Sequence, residues 1–149
     1  MNQKITQFEQ LIREAIGHVL QVEQPQTLFD PVRYILSIGG KRVRPLLTLL
    51  AADLFGRDPE EALAPALAVE IFHNFSLLHD DLMDQADLRR GMPTVHRKWN
   101  ANSAILSGDA MMIESYRYVS QVPSRMLPEV LRIFSDMAMD ICKGQQYDM

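Results

Sequence analysis

The sequence has little of what would tie a chain to an oxidising compartment, a lipid interior or a polyanion. A single cysteine, Cys142, among 149 residues excludes an internal disulfide. It fits a reducing compartment and is expected to be a small core or boundary residue. No apolar run approaches the length of about 20 residues that a membrane span needs; the richest, "PLLTLLAA" from Pro45, is far shorter. The N-terminal "MNQKITQFEQ" lacks the basic-then-apolar layout of a signal peptide. Basic charge is also scarce: 15 Lys and Arg against 19 Asp and Glu give a net charge of -4. That excludes the broad basic face of a nucleic-acid binder. Low-complexity tracts, internal repeats and sustained strand-like alternation are absent as well. The expectation is one cytoplasmic, soluble domain with no integral membrane segment.

What is present has a helical period. Ile5, Phe8, Ile12, Ala15, Ile16 and Val19 line one face of a first helix over about residues 3 to 21. In "FDPVRYILSIGG", Asp30 reads as an N-cap, Pro31 as the first helical residue and Gly39-Gly40 as the stop. Pro45 is placed to open the next helix, which ends at Gly56. Asp58-Pro59 repeats the start signal, and Pro65 forces a kink or a fresh start before a long helix to about Asp84. Gly91 and Pro93 mark a loop, with Thr94 capping a short turn through Trp99. Asn102 starts a helix to about Val122, and Leu127, Val130, Phe134, Met137 and Ile141 carry a last one. The fold class is all-α, in one domain.

Three constellations carry chemistry. In "HDDLMD", Asp80 and Asp84 stand one turn apart on one helix face, with Asp81 about 100° around. Unpaired carboxylates at these spacings repel and call for a cation. Hard oxygen ligands with room for water suit Mg²⁺ shared with substrate phosphates. A solvated acidic helix end has the same composition. The second is "GGKRVRP", where Lys41, Arg42 and Arg44 arrive just before a helix start, whose free N–H groups favour a phosphate. A solvated basic loop is the competing reading. The third is "LRRGMPTVH", where the neighbours Arg89 and Arg90 point different ways and are able to grip two anions. His73 lies two turns before Asp80 on the same face and joins this group, whereas His79 and His96 read as structural.

Together these segments resemble the trans-isoprenyl diphosphate synthases, the farnesyl and geranylgeranyl diphosphate synthase family. The resemblance rests on "GGKRVRP", "HNFSLLHDDLMD", "DLRRGMPTVH", "SGDAMM" and "GQQYDM", in the family's order, from about residue 30 onward. It implies an isoprenoid-synthase-like helical bundle that condenses isopentenyl diphosphate with an allylic diphosphate, using Mg²⁺. By the same resemblance Asp80 and Asp84 match metal ligands, with Asp81 in support, and Arg89 the arginine on the allylic diphosphate. Lys41, Arg44, His73 and Arg90 match the metal-free isopentenyl diphosphate site. Gln145 and Asp148 match a Gly-Gln-x-x-Asp helix beside the allylic site. Asp109 matches a recurrent Gly-Asp that reads as structural. Phe75 and Ser76, one turn below the aspartates, match the positions whose bulk limits product length, here favouring geranylgeranyl over farnesyl diphosphate. The family's second aspartate-rich motif and later lysines have no match, so residues 1–149 are expected to be the N-terminal portion of one synthase domain, inactive alone. A homodimer is expected from the family. A non-catalytic regulatory subunit related to the synthases is the alternative, although such subunits tend to lose the aspartates or arginines kept here. A cyclase-like or generic helical metal-binding domain would share the aspartates but not "GGKRVRP".

Overall fold

The computed structural model describes residues 2–21 and 23–148. Its elements are α1 (Asn2–His18), α2 (Gln26–Ser37), α3 (Val43–Leu54), a 3₁₀ turn (Pro59–Ala62), α4 (Leu63–Met83), β1 (Leu88–Arg89), β2 (Met92–Pro93), α5 (Val95–Lys98), α6 (Ala101–Val119) and α7 (Leu127–Asp148). Among the described residues the architecture is an all-α bundle, interrupted by an antiparallel hairpin of two two-residue strands.

Helix α4 is the axis of the bundle. It buries residues around its circumference, among them Ala66, Leu67, Ala68, Ile71, Phe72 and Leu78, the pattern of a helix enclosed by others. It packs most extensively on α6 and next on α3, while α2 packs on α6. The approach to α6 is close: a Cβ at Gly108 would fall 2.2 Å from His79 Nε2, so only glycine lets the imidazole lie against that turn. His79 Nε2 is also 3.2 Å from the Ile105 carbonyl. Helix α1 closes the other side with Phe8, Ile12 and Ile16, and Val32, Ile35, Leu49 and Ile71 complete a continuous core. Each such aliphatic side chain contributes about 1.5–3 kcal/mol by leaving water. A second cluster joins Phe72 on α4, Val119 on α6 and Phe134 and Ala138 on α7.

Several boundaries differ from the sequence reading, each for a local reason. Helix α2 starts at Gln26 with Pro25 as its cap, which leaves Pro31 inside. Asp30 is not a cap; it pairs with Arg33 Nη2 at 2.6 Å. Helix α3 starts at Val43, two residues before Pro45. Pro65 likewise sits in the first turn of α4, where a missing N–H costs nothing and no kink is needed. Asn100, not Asn102, starts α6, its side chain accepting from Ser103 N at 2.8 Å. Thr94 precedes α5 without capping it; its hydroxyl instead donates to the Ala86 carbonyl at 2.7 Å. Cys142 is exposed rather than at a core boundary, because α7 buries only Phe134 and Ala138 along its 22 residues.

Candidate functional site

The acidic and basic constellations converge on one side of α4. Asp80 and Asp81 lie in its last turn and Asp84 is its C-cap. Asp81 is turned inward and is 2% exposed, whereas Asp80 is half-buried and Asp84 exposed. The inward carboxylate is matched by Arg89, whose Nε donates to Asp81 Oδ2 at 2.7 Å. Arg89 Nη2 reaches Asp80 Oδ2 at 3.4 Å. That hydrogen bond to Asp81 and the carboxylates of Asp81, Asp80 and Asp84 hold the guanidinium even more firmly protonated than usual. From α7, Gln145 Nε2 donates to Asp80 Oδ1 at 2.9 Å, tying helices 65 residues apart. Asp84 makes no side-chain hydrogen bond among the described residues. Asp148 is exposed and makes no side-chain hydrogen bond or ion pair among the described residues.

The hairpin explains how neighbouring arginines serve two places. Arg89 ends β1, and Arg90 and Gly91 form the two-residue loop with φ of +53° and +77°. Positive φ at both positions is the I′ geometry that matches strand twist. Arg89 therefore turns back to the aspartates, while Arg90 swings to the Gly39-Gly40 loop. A Cβ at Gly40 would lie 2.5 Å from Arg90 Nη1, so the guanidinium occupies space that only glycine leaves open. The hairpin is pinned from α2 by Tyr34 Oη, which donates to the Pro93 carbonyl at 2.7 Å.

Around Arg90 lies a cavity of about 520 Å³ lined by Gly40, Lys41, Arg44, Glu70, His73 and Arg90, with Arg42 and Val43. Lys41, Arg44 and Arg90 are exposed and His73 is half-buried. Burial first, then the charges of Arg44, Arg90 and Arg89, lower the His73 pKa, opposed in part by Glu70. The imidazole thus enters the site neutral, ready to donate or accept. His73 stands seven residues before Asp80, about 10 Å along the helix at its usual rise. A larger cavity of about 710 Å³ lies on the α1–α2 side of the same loop, away from the aspartates. All four anion contacts expected from the sequence, Lys41, Arg44, His73 and Arg90, line the smaller cavity.

The role of Arg42 differs from the sequence reading, and Glu70 escaped it. Arg42 does not face an incoming anion; Nη1 pairs with Glu70 Oε1 and Nη2 donates to the Leu36 carbonyl at 2.5 Å. Glu70 is 3% exposed, and Asn74 Nδ2 donates to its Oε1 at 2.9 Å. The available signal was a lone acid inside the apolar "APALAVEIF".

Phe75 is half-buried and edge-on to Phe72 at 5.1 Å and to His79 at 4.8 Å between ring centroids. Ser76 donates to the His73 carbonyl at 2.8 Å. Both sit one turn below Asp80, and Phe75 joins through Phe72 an aromatic cluster with Phe134 and Tyr116. Asp109 is half-buried on α6, outside both groups of charges.

The fit of a divalent cation can be judged from the donors. Among the described residues no group of three or more His, Cys, Asp or Glu is gathered to hold a metal. Two carboxylates, one without a partner, fit the way Mg²⁺ is held by one or two acids with the rest of its shell from water and phosphate.

A profile of the polyprenyl synthetase family matches residues 25–149. The chain belongs to the polyprenyl synthetase family. It is 43% identical over 138 residues to the geranylgeranyl diphosphate synthase of Methanosarcina mazei, covering 91% of this chain and 42% of that one. A crystal structure of a geranylgeranyl pyrophosphate synthase superposes with a TM-score of 0.93 at 46% identity, covering 97% of this chain and 44% of the other. The Pyrococcus horikoshii geranylgeranyl pyrophosphate synthetase superposes with a TM-score of 0.90 at 38% identity, over 97% and 45%. This polyprenyl synthetase chain therefore spans less than half the length of these three relatives. Among its described residues no helix is long and apolar enough to cross a membrane.

Proposed function

We propose that this chain is the N-terminal part of a Mg²⁺-dependent trans-prenyltransferase that condenses isopentenyl diphosphate with an allylic diphosphate. The observation that carries the reading is the hairpin, which sends Arg89 to the aspartates and Arg90 to the cavity of Lys41, Arg44 and His73. Two anion-gripping centres about 10 Å apart along one helix suit two diphosphates brought together for one bond. The names of the relatives, geranylgeranyl diphosphate synthases among them, support the same class.

In this reading Asp80 and Asp84 would hold Mg²⁺, which when bound neutralises charge developing on the departing diphosphate. Arg89 stands behind them, oriented by Asp81, and adds a fixed cation at the same place. Gln145 keeps the Asp80 carboxylate aimed. Lys41, Arg44 and Arg90 hold isopentenyl diphosphate by charge alone, with His73 as a neutral hydrogen-bonding partner. Phe75 and Ser76 form part of the floor under a growing prenyl chain, which favours geranylgeranyl diphosphate as the product, with farnesyl diphosphate next. The shares of the relatives covered support a missing second half, so the 149 residues alone are proposed to bind without turnover. A homodimer in the cytoplasm belongs to the same proposal. The regulatory-subunit reading is the weaker one, since Asp80, Asp81, Asp84 and Arg89 and also Lys41, Arg44 and Arg90 are all kept in the sequence.

The test is prenyl transfer by the complete protein that carries this chain, with labelled isopentenyl diphosphate, Mg²⁺ and dimethylallyl, geranyl or farnesyl diphosphate. The expected result is a longer prenyl diphosphate, lost on Asp80→Ala or Asp84→Ala. Absence of transfer with every primer would overturn the assignment.

A further inference from the structure

The cavity assigned to isopentenyl diphosphate contains an element that an anion site should avoid. Glu70 is an acid, it is almost fully buried, and it lies in the lining with Arg44, His73 and Arg90. A carboxylate there repels a diphosphate unless its charge is cancelled, and the cancelling group is Arg42. Arg42 is thereby removed from the pool of anion ligands, although it sits between two of them in sequence.

The pair has a mechanical consequence as well. Arg42 adopts φ of +48°, a left-handed backbone that a β-carbon-bearing residue takes only when the surroundings impose it. Those surroundings are visible. One guanidinium nitrogen donates to the last turn of α2 at Leu36, and another to Glu70 on α4. The fork fastens the connection between α2 and α3 to two helices at once. Glu70 is in turn fixed by Asn74, which donates to both its side chain and its carbonyl, at 2.9 and 2.8 Å. Lys41 and Arg44 flank this anchor by one and two residues, are exposed, and make no side-chain hydrogen bond of their own among the described residues. Arg90 rests on Gly40, two residues before the anchor. Three of the four anion contacts thus take their position from where Arg42 is held.

We infer that Arg42 and Glu70 are positioning residues for isopentenyl diphosphate, with Asn74 as the group that orients Glu70. They touch no substrate and act by fixing the loop that presents Lys41, Arg44 and the seat of Arg90. The inference rests on the prenyltransferase reading given above.

The experiment measures initial rates of the complete synthase with each substrate varied in turn, for wild type, Glu70→Gln and Arg42→Lys. Glu70→Gln keeps the shape but leaves Arg42 an uncancelled charge, and Arg42→Lys keeps the charge but loses the fork. Arg42→Lys should raise KM for isopentenyl diphosphate on the order of tenfold or more, as displacement of a positioned contact does, and Glu70→Gln should raise it by less, because the freed Arg42 charge offsets part of the lost positioning. KM for the allylic substrate, bound at Asp80, Asp84 and Arg89, should change by less than about twofold. A merely structural role would move both constants together or only lower Tm. If wild type transfers no prenyl group, the assignment of the reaction fails. If wild type is active and both KM values rise in parallel, or neither rises, the positioning role fails. Should Glu70→Gln not fold, Arg42→Lys and Asn74→Ala carry the same split, and an unselective pattern in both overturns the inference.

Discussion

Two ion pairs in this chain have the same length and should differ several-fold in worth. Arg89 Nε to Asp81 Oδ2 and Arg97 Nε to Asp87 Oδ1 both measure 2.7 Å. The side chains of the first are 22% and 3% exposed, those of the second 48% and 77%. Replacing Arg89 by glutamine leaves a buried carboxylate without its cation, a loss of about 3–5 kcal/mol for a fully buried pair. The partial exposure of Arg89 lets water into the vacated space, so about 2–4 kcal/mol is the expected cost. At this chain length that lowers Tm by about 5–15 °C. Arg97→Gln should cost less than about 1 kcal/mol, because its pair lies in water. Urea unfolding followed by far-UV circular dichroism reads both, and Asp81→Asn combined with Arg89→Gln should recover part of the loss. Equal effects of the two arginine substitutions would refute the reasoning that burial, not distance, sets the value of these pairs.

Phe75→Ala should shift the complete synthase toward longer products, read by chromatography of the dephosphorylated alcohols; an unchanged distribution in a stably folded enzyme removes Phe75 from the floor. His73 has a pKa held below its ordinary value, so the unfolded chain takes up the proton first as pH falls. Its contribution to stability is complete above the unfolded pKa of about 6.5 and is lost as pH falls from there through the lower folded value. The drop in urea midpoint between pH 7.5 and pH 5.5 should therefore be smaller in His73→Gln, and an identical drop would contradict the assignment. Self-association is expected because Leu106 and Ile113 on α6 and Ile133 and Met139 on α7 are 55–61% exposed. Sedimentation velocity should show mass rising with concentration, and a monomer throughout would count against it.

How much of this was legible in the sequence follows from how local each signal is. The pairing of Asp80 with Asp84, and of both with His73, needs only helix periodicity, and α4 provides it. The divergence of Arg89 and Arg90 was readable as adjacency, but the hairpin was not, since two-residue strands leave no alternation to detect. Helix starts at Asp30 and Pro45 were misplaced because proline is tolerated throughout a first turn, and in α2 even beyond it. The clasp of Arg42 on Glu70 spans 28 residues and depends on a left-handed backbone imposed by tertiary contacts. Nothing in a basic run states which of its members will be neutralised. Gln145 was placed beside the acids by family resemblance, and its contact with Asp80 crosses 65 residues that no periodicity links.

The central claim is that one face of α4 serves two diphosphates, only one of which needs metal. Isothermal titration of the complete synthase tests it directly, using isopentenyl diphosphate alone and a non-ionising thio analogue of the allylic diphosphate, each with Mg²⁺ and with excess chelator. The account predicts that isopentenyl diphosphate binds with similar affinity in both conditions and loses that affinity in Arg90→Ala. The allylic analogue should bind only with Mg²⁺ and lose binding in Asp84→Ala. Equal dependence of both ligands on Mg²⁺, or loss of the allylic analogue alone in Arg90→Ala, would contradict the division of the site.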